Sequence, residues 1–456
     1  MTTDKQKLLR SWGALFSLLA VLLAPLGGCE DILEVTDPDI IEEVTTAAGA
    51  FALRNGVHLR FVQATSGIQN ADALFLMGGL LTDEWRSGDT FVQRNNMDQR
   101  IFDPTNTFHE NRFRDLNRVR VEGQRAVRAL RQFAPDSVAA VGMMFAMTAL
   151  AEVLLAEHYC NGIPLSGVDE NNELIYGEPL TNQQVLERSI QDADSALALS
   201  GGSAQVTNLA RIVRGRALLD LGRFAEAATA VTGVPLTFRF ENSHSLNVND
   251  NQMWALNVNA RRYTMVDREG TVGLDYVSSN DPRLPKRVGG GTVFDNSVPV
   301  TLVRIGIWDR STPVVVASGI EAELIRAEAD LRAGDAASWL TRINALRTNT
   351  SLYPPIPAAL GTSYTRGPNL TALTDPGTDE ARVNAHFRER AFWMFSTGHR
   401  LGDMRRLLRQ YGRSEDSVYP NGAYYKGGDY GDAMNIPVPF EEQNNPNFTE
   451  CLDMSA

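Results

Sequence analysis

Residues 138–156 read VAAVGMMFAMTALAEVLLA, apolar nearly all round the helix they would form, with only Thr148 and Glu152 interrupting. A helix without a polar face has to be covered on every side. As a membrane span it is marginal, because Glu152 would be costly at depth. A helix buried at the centre of a mainly helical protein accommodates both observations. The stretch runs out at Cys160-Asn161-Gly162-Ile163-Pro164, where glycine and proline stop helices.

Shorter amphipathic helices follow. Thr181 is placed as an N-cap with Gln184 completing a capping box, and Leu186, Ile190, Ala193 and Leu197 mark the buried stripe up to Gly201-Gly202. Leu209 to Leu221 is the next helix, and Gly222-Arg223 turns the chain into Phe224–Val231. Much later, Glu321–Ala333, the Gly334-Asp335 turn and Ala336–Arg347 repeat this plan, with Trp339, Ile343 and Leu346 on one face. Alanines 322, 329 and 333 suit close helix approach. Such units resemble degenerate tetratricopeptide repeats, which bury their faces only by stacking. The fold class expected is therefore mainly α: an α/α superhelix of helix pairs, with an irregular bundle as the alternative.

The texture changes between Gly233 and Ser318. Asparagines 242, 247, 249, 251, 257 and 259 crowd together among Trp254, Tyr263, Tyr276 and Trp308, and Gly289-Gly290-Gly291 breaks any long helix. This region reads as strands and long loops laid over the helical frame. A second loop, Leu352 to Thr378, is rich in Pro, Gly and Thr. Loops on a rigid frame are where binding residues concentrate.

The N-terminus reads as a targeting segment. Lys5, Lys7 and Arg10 precede an apolar run from Trp12 to Leu26, closed by Gly27-Gly28-Cys29. That is the layout of a secretory signal peptide, and the small pair before a cysteine resembles the bacterial lipobox. Cleavage before Cys29 and lipidation of its thiol would anchor the protein, since stable anchoring takes more than one acyl chain. Glu30 and Asp31 look like the acidic tags that send some such lipoproteins to the cell surface. With 43 basic against 55 acidic side chains and a net charge of −12, the chain lacks the basic face that phosphate binding wants, so no nucleic-acid partner is expected. Of three cysteines, Cys160 and Cys451 remain once Cys29 carries lipid. In an oxidising compartment an even pair predicts a disulfide, with two free buried thiols as the alternative.

Several ordered segments resemble the SusD/RagB family of outer-membrane nutrient-binding lipoproteins. The strongest is Arg388-Glu389-Arg390-Ala391-Phe392-Trp393 followed by Gly398-His399-Arg400-Leu401-Gly402-Asp403-Met404-Arg405-Arg406. It is similar to the family's late helix motif, with Met404 where leucine is usual. Ala322–Ala329 and Ile343–Arg347 resemble its repeat helices, Asp281-Pro282-Arg283 its mid-chain motif, and Ile436-Pro437-Val438-Pro439 with Glu442 and Asn445-Pro446-Asn447 its closing segment. The organisation expected is a signal peptide (1–28), a tether (29–45) and a SusD-like domain (46–456). Within that domain the helical scaffold covers about 115–232 and 319–412, the loop and strand region 233–318, and the C-terminal segment 413–456.

Read physically, Glu389, Arg390, Arg400, Asp403 and Arg406 are charges among large apolar residues and predict a structural ion-pair lattice. No Gly-x-Ser-x-Gly, phosphate loop or His-Glu-x-x-His occurs, and the six histidines are scattered. His386 and Glu389 share a helix face, a spacing more common in scaffold than in metal sites. No catalytic residue, cofactor or metal is expected. The resemblance implies capture of an oligosaccharide or peptide at the cell surface and delivery to a SusC-like, TonB-dependent transporter, over which the protein sits as a lid. Ligand candidates are Asp83 and Trp85 in Leu81-Thr82-Asp83-Glu84-Trp85, with Trp254, Tyr263 and Tyr276, since sugar rings stack on aromatics. A lipid-anchored scaffold for envelope proteins and a polysaccharide hydrolase are the rival readings.

Overall fold

The computed structural model describes residues 44–68, 72–169, 173–448 and 451. The signal peptide, Cys29 and the acidic pair after it lie outside the described residues. Helices α1 (Ala47–Thr65), α2 (Leu74–Leu81), α3 (Val92–Asp98) and α4 (Thr107–Phe133) lead into α5 (Val138–His158). Then come α6 (Asn182–Ala198), α7 (Ala204–Asp220) and α8 (Phe224–Ala230), and after the strand region α9 (Gly319–Arg332), α10 (Ala336–Arg347), α11 (Asp379–Trp393) and α12 (Arg400–Tyr411). From α4 to α10 each helix packs on the next, α8 handing over to α9 across the strand region, while α1 packs on α4.

The all-round apolar helix is the one that α4 and α6 sandwich, and α12 crosses back onto it. It is long and apolar enough to cross a membrane, yet 78% of its apolar window is buried by protein. The carboxylate inside its apolar run, Glu152, meets Arg120 of α4 at 3.2 Å. The Thr181–Gln184 capping box forms as the sequence predicts. The next helix starts earlier than its apolar stripe, at Ala204, because the Ser203 side chain caps it by accepting from Val206 N. The scaffold likewise begins before residue 115, with α1 and the first turns of α4.

Between α8 and α9 the chain forms short antiparallel pairs: Arg239–Asn242 with Val314–Ser318, and Lys286–Thr292 with Thr301–Ile305. The asparagines work as backbone substitutes. Asn257 donates to Tyr263 O (2.8 Å) and Val303 O (3.0 Å) while accepting from Ile305 N at 2.9 Å. Asn242 donates to Thr65 Oγ1 and Ser66 Oγ at the end of α1, fastening the strands to the helices. Such bonds satisfy buried loop backbone that has no ladder of its own. Cys160, two residues past α5, is bonded to Cys451.

The charges of the late motif are buried and paired. Glu389 takes Arg283 at 2.6 Å and also Arg347. Arg390 donates to Asp403 at 2.8 Å, and Arg400 to both oxygens of Asp83 at 2.6 and 2.8 Å. Arg406 joins Asp403 (2.8 Å), Glu328 and Asp220 (3.3 Å). Burial opposes ionisation of Asp403, but Arg390 and Arg406 outweigh it and bring its carboxyl down to about 2. Breaking one side of such a buried pair strands the other charge, at a cost of roughly 3–5 kcal/mol.

Candidate functional site

Where the Val314–Ser318 strand passes into α9, a cleft of about 560 Å³ opens between the strand pair, the start of the 352–378 loop and the end of α11. The junction is tight. A Cβ on Gly319 would sit 2.1 Å from Pro235 O, so only glycine lets the helix begin against that wall. Trp308, Tyr353, Phe392, Trp393 and Phe395 line the cleft. The Tyr353 and Trp393 rings lie 5.9 Å apart, and the Tyr353 hydroxyl is held by donating to Arg347 O at 2.6 Å. The Arg283 guanidinium lies 5.1 Å from both the Phe392 and Trp393 rings, so the aromatic wall is braced by the same arginine that pairs with Glu389.

Polar groups converge on the interior. Glu321 and His399 both line the cleft, and Glu321 Oε1 lies 3.2 Å from His399 Nε2. That nitrogen already faces an Arg216 N–H at 2.9 Å, and Nδ1 lies 2.9 Å from Thr397 Oγ1, whose proton goes to Met394 O. Hydrogen bonding therefore favours a neutral ring protonated on Nδ1. Burial, then Arg216, lowers the His399 pKa in keeping with this. Burial works against ionising Glu321, while the positive charges of Arg216 and Arg390 favour it. Neither Glu321 oxygen, nor the indole N–H of Trp393, has a hydrogen-bond partner among the described residues.

The five sequence-predicted ligand residues do not come together here. Trp85, Tyr263 and Tyr276 are 0% exposed and Asp83 is 1% exposed, which corrects the expectation that they form surface platforms. Asp83 is committed to Arg400 and to Leu274 N. Trp85 Nε1 donates to Ser396 Oγ at 2.8 Å, and the Tyr263 hydroxyl donates to Asp72 at 2.7 Å. Trp85 and Tyr276 nonetheless support the cleft from behind, their rings 5.1 and 5.2 Å from Phe395. Trp254 is half-buried under Arg310, 5.9 Å from its ring, away from the cleft. His386 bonds Glu328 at 3.2 Å rather than Glu389, and no group of three metal-ligating side chains is assembled among the described residues.

Sequence reasoning missed Trp308, Tyr353, Trp393 and Glu321 as a group because they lie far apart in the chain. One local signal existed: Ser318-Gly319-Ile320-Glu321 has capping-box spacing. Ser318 does accept from Glu321 N at 3.2 Å, but the glutamate makes no return bond and is left facing the cleft.

No family model matches this sequence, and no curated protein does. Solved structures match along most of its length. A SusD superfamily protein from Parabacteroides distasonis superposes with a TM-score of 0.63 at 14% identity, covering 90% of this chain and 99% of that one. A SusD-like carbohydrate binding protein from Bacteroides fragilis gives 0.63 at 12% identity, over 88% and 99%. A putative sugar binding protein from Bacteroides vulgatus gives 0.59 at 16%, over 91% and 100%. The chain has the SusD-type fold.

Proposed function

We propose that this protein is a cell-surface lipoprotein that binds oligosaccharide without turning it over and passes it to a TonB-dependent transporter, swinging as a lid on its Cys29 tether. The observation that carries the reading is the cleft: several aromatic side chains, with few and specific polar groups, opening in a SusD-type fold. Sugar rings stack on such walls while carboxylates and indole N–H groups bond hydroxyls. Two of the similar structures are described as carbohydrate or sugar binding. A lipid tether at Cys29 suits delivery, because it would keep the body near its partner at high effective concentration.

Calorimetry with a panel of soluble oligosaccharides tests the binding. Trp393→Ala and Tyr353→Ala should each weaken the bound glycan by roughly tenfold or more, whereas Trp254→Ala should leave it unchanged. New reducing ends released from the panel would overturn the non-enzymatic reading in favour of a hydrolase. Recovery of no barrel protein from detergent-solubilised membranes would count against the transporter partnership and favour a scaffold role.

A further inference from the structure

The last turn of α12 and the first turn of α6 border a second hollow, of about 570 Å³, which shares no lining residue with the aromatic cleft. His399, just before α12, lines the cleft, and Arg409 lines the hollow ten residues on, about 15 Å further along the helix axis. Among the described residues Arg409 is the charge that lines it, exposed and without an ion-pair partner. One turn back, Arg405 is 0% exposed. Its Nη1 donates to Ala156 O and Glu157 O at 2.8 Å and to Tyr159 O at 3.2 Å, while Nε and Nη2 have no partner. Asn182 of the hollow donates through Nδ2 to two of the same carbonyls, Ala156 O and Tyr159 O, which sets Arg405 against it. No carboxylate compensates this buried guanidinium. Of the two acids that act on it from a distance, Glu157 is held by Arg216 and Asp220 by Arg406 at 3.3 Å. Burial, then the charge of Arg409, lowers the Arg405 pKa to about 10.

The start of α6 adds to the positive field. This 17-residue helix has no acidic side chain in its first turn to offset its dipole. Thr181 Oγ1 accepts from Gln184 N at 3.2 Å and Asn161 Oδ1 from Asn182 N at 2.7 Å, whereas the Gln183 N–H between them takes neither. Such a free N–H beside an arginine suits an anion. Asn182 itself is 2% exposed, and its Oδ1 has no hydrogen-bond partner, so the hollow also has a use for a neutral donor. A sulfate ion would meet the charge and leave that oxygen without one. A carboxylate and a hydroxyl carried on one ring meet both needs.

We infer that this hollow is a second ligand site that selects a hexuronate residue. The carboxylate is held by Arg409 and the Gln183 N–H, and a ring hydroxyl donates to Asn182 Oδ1. That the anion is a sugar rests on the oligosaccharide reading above.

The test is calorimetry on the full-length lipoprotein in detergent, titrated with oligogalacturonate, its fully methyl-esterified form and sodium sulfate. Esterification removes the charge and keeps every hydroxyl. The free acid should bind at least about tenfold more tightly than the ester, and Arg409→Gln should abolish that preference. Arg409→Lys, which keeps the charge, should retain part of it; thermal melts establish that both variants are folded. The preference, as distinct from overall affinity, should survive Trp393→Ala. Equal binding of acid and ester, or a preference that survives Arg409→Gln, overturns the inference and leaves the glycan reading of the cleft standing. Loss of the preference in Trp393→Ala puts the uronate in the cleft and likewise overturns it. Sulfate binding as tightly as the oligouronate overturns the sugar assignment. Binding of no oligosaccharide, charged or neutral, overturns this inference together with the reading beneath it.

Discussion

At Glu84 the fold holds a carboxyl in the interior, accepting from Ser396 N at 2.7 Å. Burial raises its pKa to about 8, and Glu152 is raised to about 7 by the same cause. A carboxyl whose folded value lies above its unfolded one stabilises the fold fully below the unfolded value, and that contribution is lost as pH rises through the folded one. Asp403, lowered to about 2, has the opposite sense: its contribution is present at neutral pH and lost as pH falls towards 2. Stability should therefore decline from about pH 5 to about pH 8. Glu84→Gln should flatten that decline and add of order 2–4 kcal/mol at its upper end. Urea unfolding at a series of pH values checks this; parallel slopes for the two proteins would remove Glu84 as the cause. Residue roles were the least legible part of the sequence. Trp85 and Tyr276 carry the same aromatic chemistry as Trp308 and Trp393, and what makes the first pair wall supports and the second pair lining is contact with Phe395, far from both in sequence. Glu321 was hidden more thoroughly, behind a spacing that ordinarily means a helix cap.

Helices were easier to read than side-chain roles, because periodicity and caps are local. The apolar run at 138–156, the Thr181 box and Ala336–Arg347 reappear within a turn or two of where the sequence puts them. What the pattern could not show was that Glu152 depends on Arg120 of the preceding helix, or that Ser203 starts a helix ahead of its apolar stripe. The first dependence can be measured. Arg120→Met should cost roughly 3–5 kcal/mol by stranding Glu152, and adding Glu152→Leu should restore most of it. Additive losses in that cycle would mean that Arg188, 3.5 Å from the same carboxylate, carries the pairing. The Cys160–Cys451 bond belongs to the same scale, tying the end of α5 to the C-terminal segment. Cys451→Ser should lower stability by about 2–5 kcal/mol, and guanidinium unfolding with and without reductant should bring wild type and variant together only when reductant is present.

For the molecule as a whole, the proposed lid requires the body to be independent of its anchor. Cys29→Ser should move the protein from the membrane fraction to the soluble one while leaving the melting temperature and glycan binding of the body unchanged. Loss of folding in that variant would mean the anchor does more than tether. The cross-link also alters what proteolysis of this protein will look like. It joins positions 291 apart in sequence, so a nick in the loop between Leu352 and Thr378 falls inside a covalent ring. Both fragments then stay joined, and a gel run without reductant shows one band at the full mass. Shaving whole cells with protease would on such a gel report an intact, apparently protected protein even after every copy had been cut. Adding thiol before loading is what lets a surface location become visible.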